Sequence, residues 1–483
     1  MKLLKASLIV LFSIILVSCS EKDDAPKNIE VQNFVWKGLN AYYLWQDQIP
    51  DLSDRRFNND EELYSYLTSF DDPNVLFNSL LTPDDNYSRL IEDYNTITEP
   101  ELRSSVVNGM EFGIISEPGS SDNVIGYVTH ILPNSNASSK DLTRGEFFYA
   151  VNDTQLTRDN YESLLLDEEN IFTLNMADYD GDNVTPNGKT VALEKQNYDY
   201  PPVFMEDVIM NDGDNIAYLM YNNDFSTNYL QDLNETFLNF KNQSANQLIL
   251  DLRYNIGGGS FVKNITKIAS MITGQFNNDV FIKEEWNAKA QPWFEVNQPD
   301  SLLTKFTDRL NTETTINSLN LNAVYIILNG ENFTGSSAIE LLINSLKPYI
   351  DVHVIGNDTT GNNLGFITLY NSIDYNSFNK SENHTFALQP AVLSFFNKDD
   401  ETYANGITPS VALCDHEDAL NLGVLGSSTD PILNRVLNYI SSGDAGPAPT
   451  CNQNNFEYIS NSISFQREAD NGVFIEQILP NTY

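Results

Sequence analysis

Ser337 is the residue of this chain best placed to act as a nucleophile. It follows an apolar β-branched run, Val324 to Leu328, and a polar, glycine-containing turn, Asn329 to Gly335. It opens a segment in which Ala338, Leu341, Leu342 and Ser345 recur at helical spacing, with Glu340 in the first turn, where the helix dipole favours an acid. A serine at such a strand-to-helix turn sits beside unpaired backbone N–H groups that can stabilise an oxyanion. Serine is also an ordinary helix N-cap, so position alone does not separate the two roles. As a nucleophile it needs a base within hydrogen-bond reach. The histidines are His130, His353, His384 and His416, and His353 lies in the apolar run Val352 to Ile355 that leads into a glycine-containing loop. A Ser-His arrangement with His353 is therefore one option. Lys347 falls near the far end of the Ser337 helix, about 15 Å along its axis. Three consecutive glycines from Gly257 follow the apolar run Leu248 to Leu252 and permit close backbone approach to a ligand. Asp178, Asp180 and Asp182 suggest a calcium loop, but Gly181 and Lys189 do not fit its register, and a hairpin turn is expected. No HExxH and no Cys/His cluster with zinc spacing occurs, so neither a metal nor a cofactor is expected.

These residues require elements that hold them. Residues 203–440 alternate apolar strands with amphipathic helices. Strands are expected at Ile216–Met220, Leu248–Leu252, Val324–Leu328 and Val352–Ile355, and helices at Tyr229–Lys241, Phe261–Ile272 and Ser337–Leu346. Within this frame, Gly335-Ser336-Ser337-Ala338-Ile339-Glu340 carries a Ser-Ala-x-Glu motif and residues 248–259 read LILDLRYNIGGG. YLMYNNDF at 218–225, GITPSV at 406–411 and LNAYYLWQDQIPD at 39–51 stand around them. Together these blocks resemble the C-terminal processing (tail-specific) serine peptidases over roughly residues 30–440. The resemblance implies a serine-type endopeptidase acting on unstructured or C-terminal polypeptide segments. Ser337 would be the nucleophile, with an oxyanion hole from the N–H groups of Ala338 and of Gly257 or Gly258. Asp251 and Arg253 would position the glycine loop. The family carries its lysine base in a Thr-x-Gly-Lys loop. Here that loop reads Thr359-Thr360-Gly361-Asn362. An amide has no titratable proton near neutral pH, so two readings stand: a peptidase with a weakened or altered base, or a non-catalytic homologue that binds peptides.

The resemblance also orders the rest of the chain as an α/β (α+β) multidomain protein. Val31, Phe34, Val35, Leu39 and Tyr42 share one helical face, and short helices are expected at 61–70 and 86–94, giving a helical N-terminal domain over 29–104. Residues 105–202 shift to alternating runs, GMEFGII at 109–115 and VIGYVTHI at 124–131, followed by a short helix and strand within 134–156. This order resembles a circularly permuted PDZ domain. Gly109, Met110, Phe112 and Gly113 would form its carboxylate-binding loop, capturing a peptide that adds a strand to the sheet edge. The catalytic-type domain spans 203–442. The tail, 443–483, has strand candidates FEYI, ISF and VFIEQI and no functional reading.

Of 483 residues, 41% are hydrophobic, enough for a large core, and 67 acids against 27 bases give a net charge of −40. Such a chain repels nucleic acid and anionic membrane surfaces, and its expected partner is a polypeptide. Lys2 and Lys5 precede an apolar stretch, Leu8 to Val17, too short to span a bilayer. Leu16-Val17-Ser18-Cys19 resembles a bacterial lipobox. Residues 1–18 are then a signal peptide, and Cys19 the lipidated start of a linker reaching residue 28. The expected location is an exported, membrane-anchored lipoprotein facing the periplasm or the outer surface. Export leaves Cys414 and Cys451 either as a disulfide or as two free thiols. A Cys19→Ala variant is expected to leave the membrane fraction, measured by fractionation after salt washing, since nothing else in this reading anchors the chain.

Overall fold

The computed structural model describes residues 25–97, 104–166, 170–257, 260–328, 335–447, 456–466 and 472–476. The helix Glu30–Tyr42 buries Phe34, Val35, Leu39 and Tyr42, as the periodicity predicts. Asp60–Leu67 is capped by the Asn59 side chain, and Pro73–Ser79 by Asp72 with proline in its first turn. The helix expected over 86–94 does not form. Asp85 accepts the amides of Tyr87 and Ser88, which turns the chain, and Arg89–Ile91 pairs as a strand with Ala387–Gln389. A side chain that bonds the next amides competes with helix, and the distant strand then wins the segment.

In the middle region, Met110–Ser116, Val124–Ile131, Phe147–Val151, Ile171–Tyr179 and Val184–Glu194 form successive neighbours of one antiparallel sheet. The aspartates at 178–182 lie where Ile171–Tyr179 turns into Val184–Glu194. Asp180 accepts the amides of Asp182 and Asn183 there, a hairpin turn.

The 203–442 region is built on a sheet ordered Met205–Asn211, Asp214–Met220, Gln247–Asp251, Ala323–Ile327, Asp351–Gly356, Val411–Ala412. Its first pair is antiparallel and the others parallel. Parallel strands need coverage on both faces. Alternation supplies it: Leu248, Leu250, Val324, Ile326 and Val354 pack with the helices Leu230–Asn242, Val262–Ile272 and Ser337–Leu346. Tyr218, Ile249, Tyr325, Ile327 and Ile355 face Leu433, Val436 and Leu437 of the helix Pro431–Ser442. A second sheet runs Ser260–Phe261, Val473–Phe474, Leu364–Phe366, Ala391–Phe396, Val280–Trp286, Leu303–Lys305. The tail candidate ISF is a 3-10 turn, Ser462–Phe465, because Asn461 caps it.

A buried charge cluster joins these parts. Arg253, with no exposed side-chain surface, pairs with Asp251 at 2.8 Å, Asp430 at 2.9 Å and Glu417 at 3.1 Å. Arg144, from the middle region, meets Glu417 at 2.7 Å and donates to the Tyr254 hydroxyl at 2.6 Å. Burial alone would raise the Glu417 pKa, but Arg144 and Arg253 pull it down to about 2. A depressed acid contributes stability above its unfolded pKa, about 4.3, and loses it as pH falls through the folded value. Glu417→Gln is therefore expected to cost about 3–5 kcal/mol at neutral pH. In chemical denaturation, the gap to wild type should hold at pH 6 and close between about pH 4.3 and pH 2.

Candidate active site

Ser337 is the first residue of the helix Ser337–Leu346, with Ser336 as its extended N-cap. The apolar face expected of this helix is buried, and so is the rest of it, Glu340 included. Glu340 cannot point its carboxylate to water, and the loop that follows Asp351–Gly356 supplies the partners. One carboxylate oxygen accepts the Gly361 amide at 2.6 Å and the other the Asn362 amide at 2.9 Å. Burial raises the Glu340 pKa, while the Thr359 hydroxyl and these two amides oppose the rise. Thr359 is fixed in turn: its amide donates to the Ile407 carbonyl at 3.1 Å, and its Oγ1 accepts the Ile407 amide at 2.8 Å. Gly406 has φ +81°, and a Cβ there would lie 2.2 Å from the Thr359 carbonyl oxygen, so the Gly-Ile-Thr-Pro segment packs against this loop only with glycine.

Glu340 thus brings the Ser337 helix and the Asn362 loop together. Ser337 and Asn362 are 2% and 4% exposed. Asn362 Oδ1 accepts the Leu364 amide at 3.2 Å. Ser337 Oγ and Asn362 Nδ2 are both buried with no hydrogen-bond partner among the described residues.

The Ser-His option fails on topology. His353 stacks on Tyr325 at 4.8 Å and packs edge-on against Tyr439 of the helix Pro431–Ser442. That is the opposite face of the sheet from the Ser337 helix, because alternate residues of one strand point to opposite faces. Lys347 caps the other end of the Ser337 helix.

The family model described as the Peptidase S41 N-terminal domain matches residues 30–89, and that of Peptidase family S41 matches residues 215–413. The chain belongs to peptidase family S41. Among solved structures, this S41 chain is similar to an S41 protease from Bacteroides fragilis, with 21% identity, a TM-score of 0.62, and coverage of 84% of this chain and 97% of that one. It is also similar to the photosystem II D1 C-terminal processing protease, with 17% identity, a TM-score of 0.44, and coverage of 87% and 99%. No curated protein matches the chain.

The structure departs from two expectations for the S41 site. The Gly257 amide donates to Asn255 Oδ1 at 2.8 Å, and the Asn255 side-chain amide donates to the Tyr221 carbonyl at 3.2 Å. Gly257 therefore spends its N–H within its own turn instead of pointing a free donor at an oxyanion. Gly258 lies outside the described residues. Ala338 is the second residue of its helix, where an amide has no intrahelical acceptor. The second departure concerns the carboxylate loop. Gly109 is in a left-handed turn, φ +88°, but Met110, Phe112 and Gly113 are already in the strand Met110–Ser116. The Met110 amide donates to Asn108 Oδ1 at 2.8 Å and the Phe112 amide to Ser462 Oγ at 2.9 Å. Gly113 pairs with Tyr127 on one side and Asn461 on the other. The segment is a filled strand, not an open loop, because the chain's own later residues take its edge.

Asp251 and Arg253 lie in the buried ion cluster. Cys414 is disulfide-bonded, and its predicted partner Cys451 lies outside the described residues. Sequence reasoning missed the reach of Glu340 and the cap by Asn255. The signals were present as the Glu of Ser-Ala-x-Glu and the Asn two residues before Gly257. Glu340→Ala should cost about 1.5–3 kcal/mol for each charge-assisted bond lost. It should also speed hydrogen exchange at the amides of Gly361 and Asn362, and unchanged exchange there would show that the loop does not depend on Glu340.

Proposed function

We propose that this S41 chain is an exported lipoprotein, anchored through Cys19, that takes an extended polypeptide at the Ser337 cleft and hydrolyses it slowly. Ser337 acts as nucleophile and Asn362 stands in the base position. The observation that carries the reading is the pairing of a serine at a helix N-terminus with a loop tied to that helix by Glu340. Ala338 supplies an oxyanion donor from the first turn, and no metal or cofactor enters the reading. Asn362 cannot take the hydroxyl proton. General-base catalysis contributes about 10²–10⁴-fold, so its loss leaves a slow enzyme. The leader residues 1–18 and the lipobox-like Leu16-Val17-Ser18-Cys19 support export and anchoring. Among the described residues no helix is long and apolar enough to cross a membrane.

A second reading, a peptide-binding homologue without turnover, is favoured by one observation: Ser337 Oγ and Asn362 Nδ2 are both buried and unbonded among the described residues.

Hydrolysis of an unfolded protein substrate separates the two. Wild type should cleave slowly, Ser337→Ala not at all, and Asn362→Lys at least tenfold faster than wild type. Combining Asn362→Lys with Ser337→Ala should remove the gain. No cleavage by wild type or by Asn362→Lys, with peptide still bound, would install the peptide-binding reading. A rate that survives Ser337→Ala would place the cleavage elsewhere.

A further inference from the structure

The second sheet contains a strand from far along the chain. Val473–Phe474 lies between Ser260–Phe261 and Leu364–Phe366 and runs parallel to both. The Ser260 amide donates to the Gly472 carbonyl at 3.2 Å and the Ile475 amide to the Phe366 carbonyl at 3.1 Å. Val473 is wholly buried, and the Phe474 ring meets Phe261 at 6.3 Å and Phe366 at 5.9 Å. Both neighbours adjoin the candidate site along the chain. Ser260 follows the glycine run from Gly257, and Leu364 donates its amide to Asn362.

The same tail fills a second edge. Tyr458–Asn461 pairs antiparallel with Met110–Ser116 on the side away from Val124–Ile131. Ser462 Oγ accepts the Phe112 amide, and Gln466 donates to Glu111 at 2.9 Å. Between the two edges, Ile463 and Gln466 line a cavity together with Glu111, His130, Asn222 and Ile256.

We propose that the gap between Ser260–Phe261 and Leu364–Phe366 is a docking slot for one extended, apolar polypeptide strand. The chain's own residues 472–476 occupy it as a tethered ligand that an incoming polypeptide displaces. The inference rests on reading the Ser337 cleft as a polypeptide site. Three features carry it. The slot is one strand wide, and its occupant is a two-residue strand held by few backbone hydrogen bonds. Its charged anchor, Lys263 to Glu476 at 2.7 Å, is half exposed and holds little. The recognition is backbone pairing plus alternate apolar side chains, which any extended segment with an apolar residue at the Val473 position can reproduce. A tether adds an effective concentration in the millimolar range, enough to keep weaker peptides out without any new contact.

The test uses the full chain carrying Ser337→Ala, so that the probe survives, and a fluorescein-labelled synthetic peptide of residues 456–476. Adding Val473→Asp and Phe474→Asp to that chain is expected to tighten peptide binding at least tenfold by fluorescence anisotropy. Equal or absent binding in a variant that still melts cooperatively would overturn the proposal. A second measurement needs no tail substitution. At saturating unlabelled peptide, hydrogen exchange at residues 472–476 should rise at least tenfold while Leu364–Phe366 stays protected. A tail that stays protected under saturation is a permanent strand and overturns the proposal as well. Absent hydrolysis by wild type alongside the tenfold gain would remove the turnover reading and leave the slot standing.

Discussion

A guanidinium buried without water must be met by carboxylates, and Arg253 is such a group. Its partners come from three separate places: Asp251 at the end of its own strand, Asp430 at the cap of the helix Pro431–Ser442, and Glu417 in the loop after Val411–Ala412. Removing any one would leave a charge in low dielectric, so the elements are locked together as a set. Glu417 passes the constraint on to Arg144 and so to the middle region. Tyr218 completes it by donating to Asp251 at 2.8 Å. The turn that begins at Arg253 leads directly into Gly257, so the approach to the glycine run is set by ion pairs.

Glu340 plays the same part on a smaller scale. Its bonds to the loop are made to backbone amides. They hold the main chain at residue 362 whatever side chain it bears. Lysine or asparagine at that position would start from the same Cα, and what changes is the chemistry at the end of the side chain. The amide of Asn362 already spends its oxygen on Leu364, which leaves only a donor facing the interior. A donor can orient a hydroxyl but cannot accept its proton.

Local pattern made much of this legible. The helix Ser337–Leu346 was readable to its ends because the apolar spacing and the serine cap agree. The parallel strands were readable as β-branched runs bounded by polar turns. What stayed hidden depends on partners distant in sequence. Residues 86–94 read as helical until Arg89 finds Gln389. GMEFG reads as a loop until Asn461 and Ser462 arrive at its edge. No periodicity encodes that Arg144 will meet Glu417, or that Asn255 will cap the turn ahead of the glycines. His353 looked available to Ser337 because sequence gives the strand but not which face of the sheet each helix covers.

The strand Val473–Phe474 also has a meaning in time. It is synthesised long after its neighbours: Lys263 and Glu476, which close that corner, are 213 positions apart. Domains fold from the N-terminal side as the chain emerges, so the sheet holding Leu364–Phe366 must first collapse with one place open. Bringing so distant a strand home means closing a very long loop, among the entropically slowest events in folding. The place between Ser260–Phe261 and Leu364–Phe366 is therefore filled late, and the nascent chain lengthens by about a hundred residues beyond Phe366 with that place in its sheet unsatisfied.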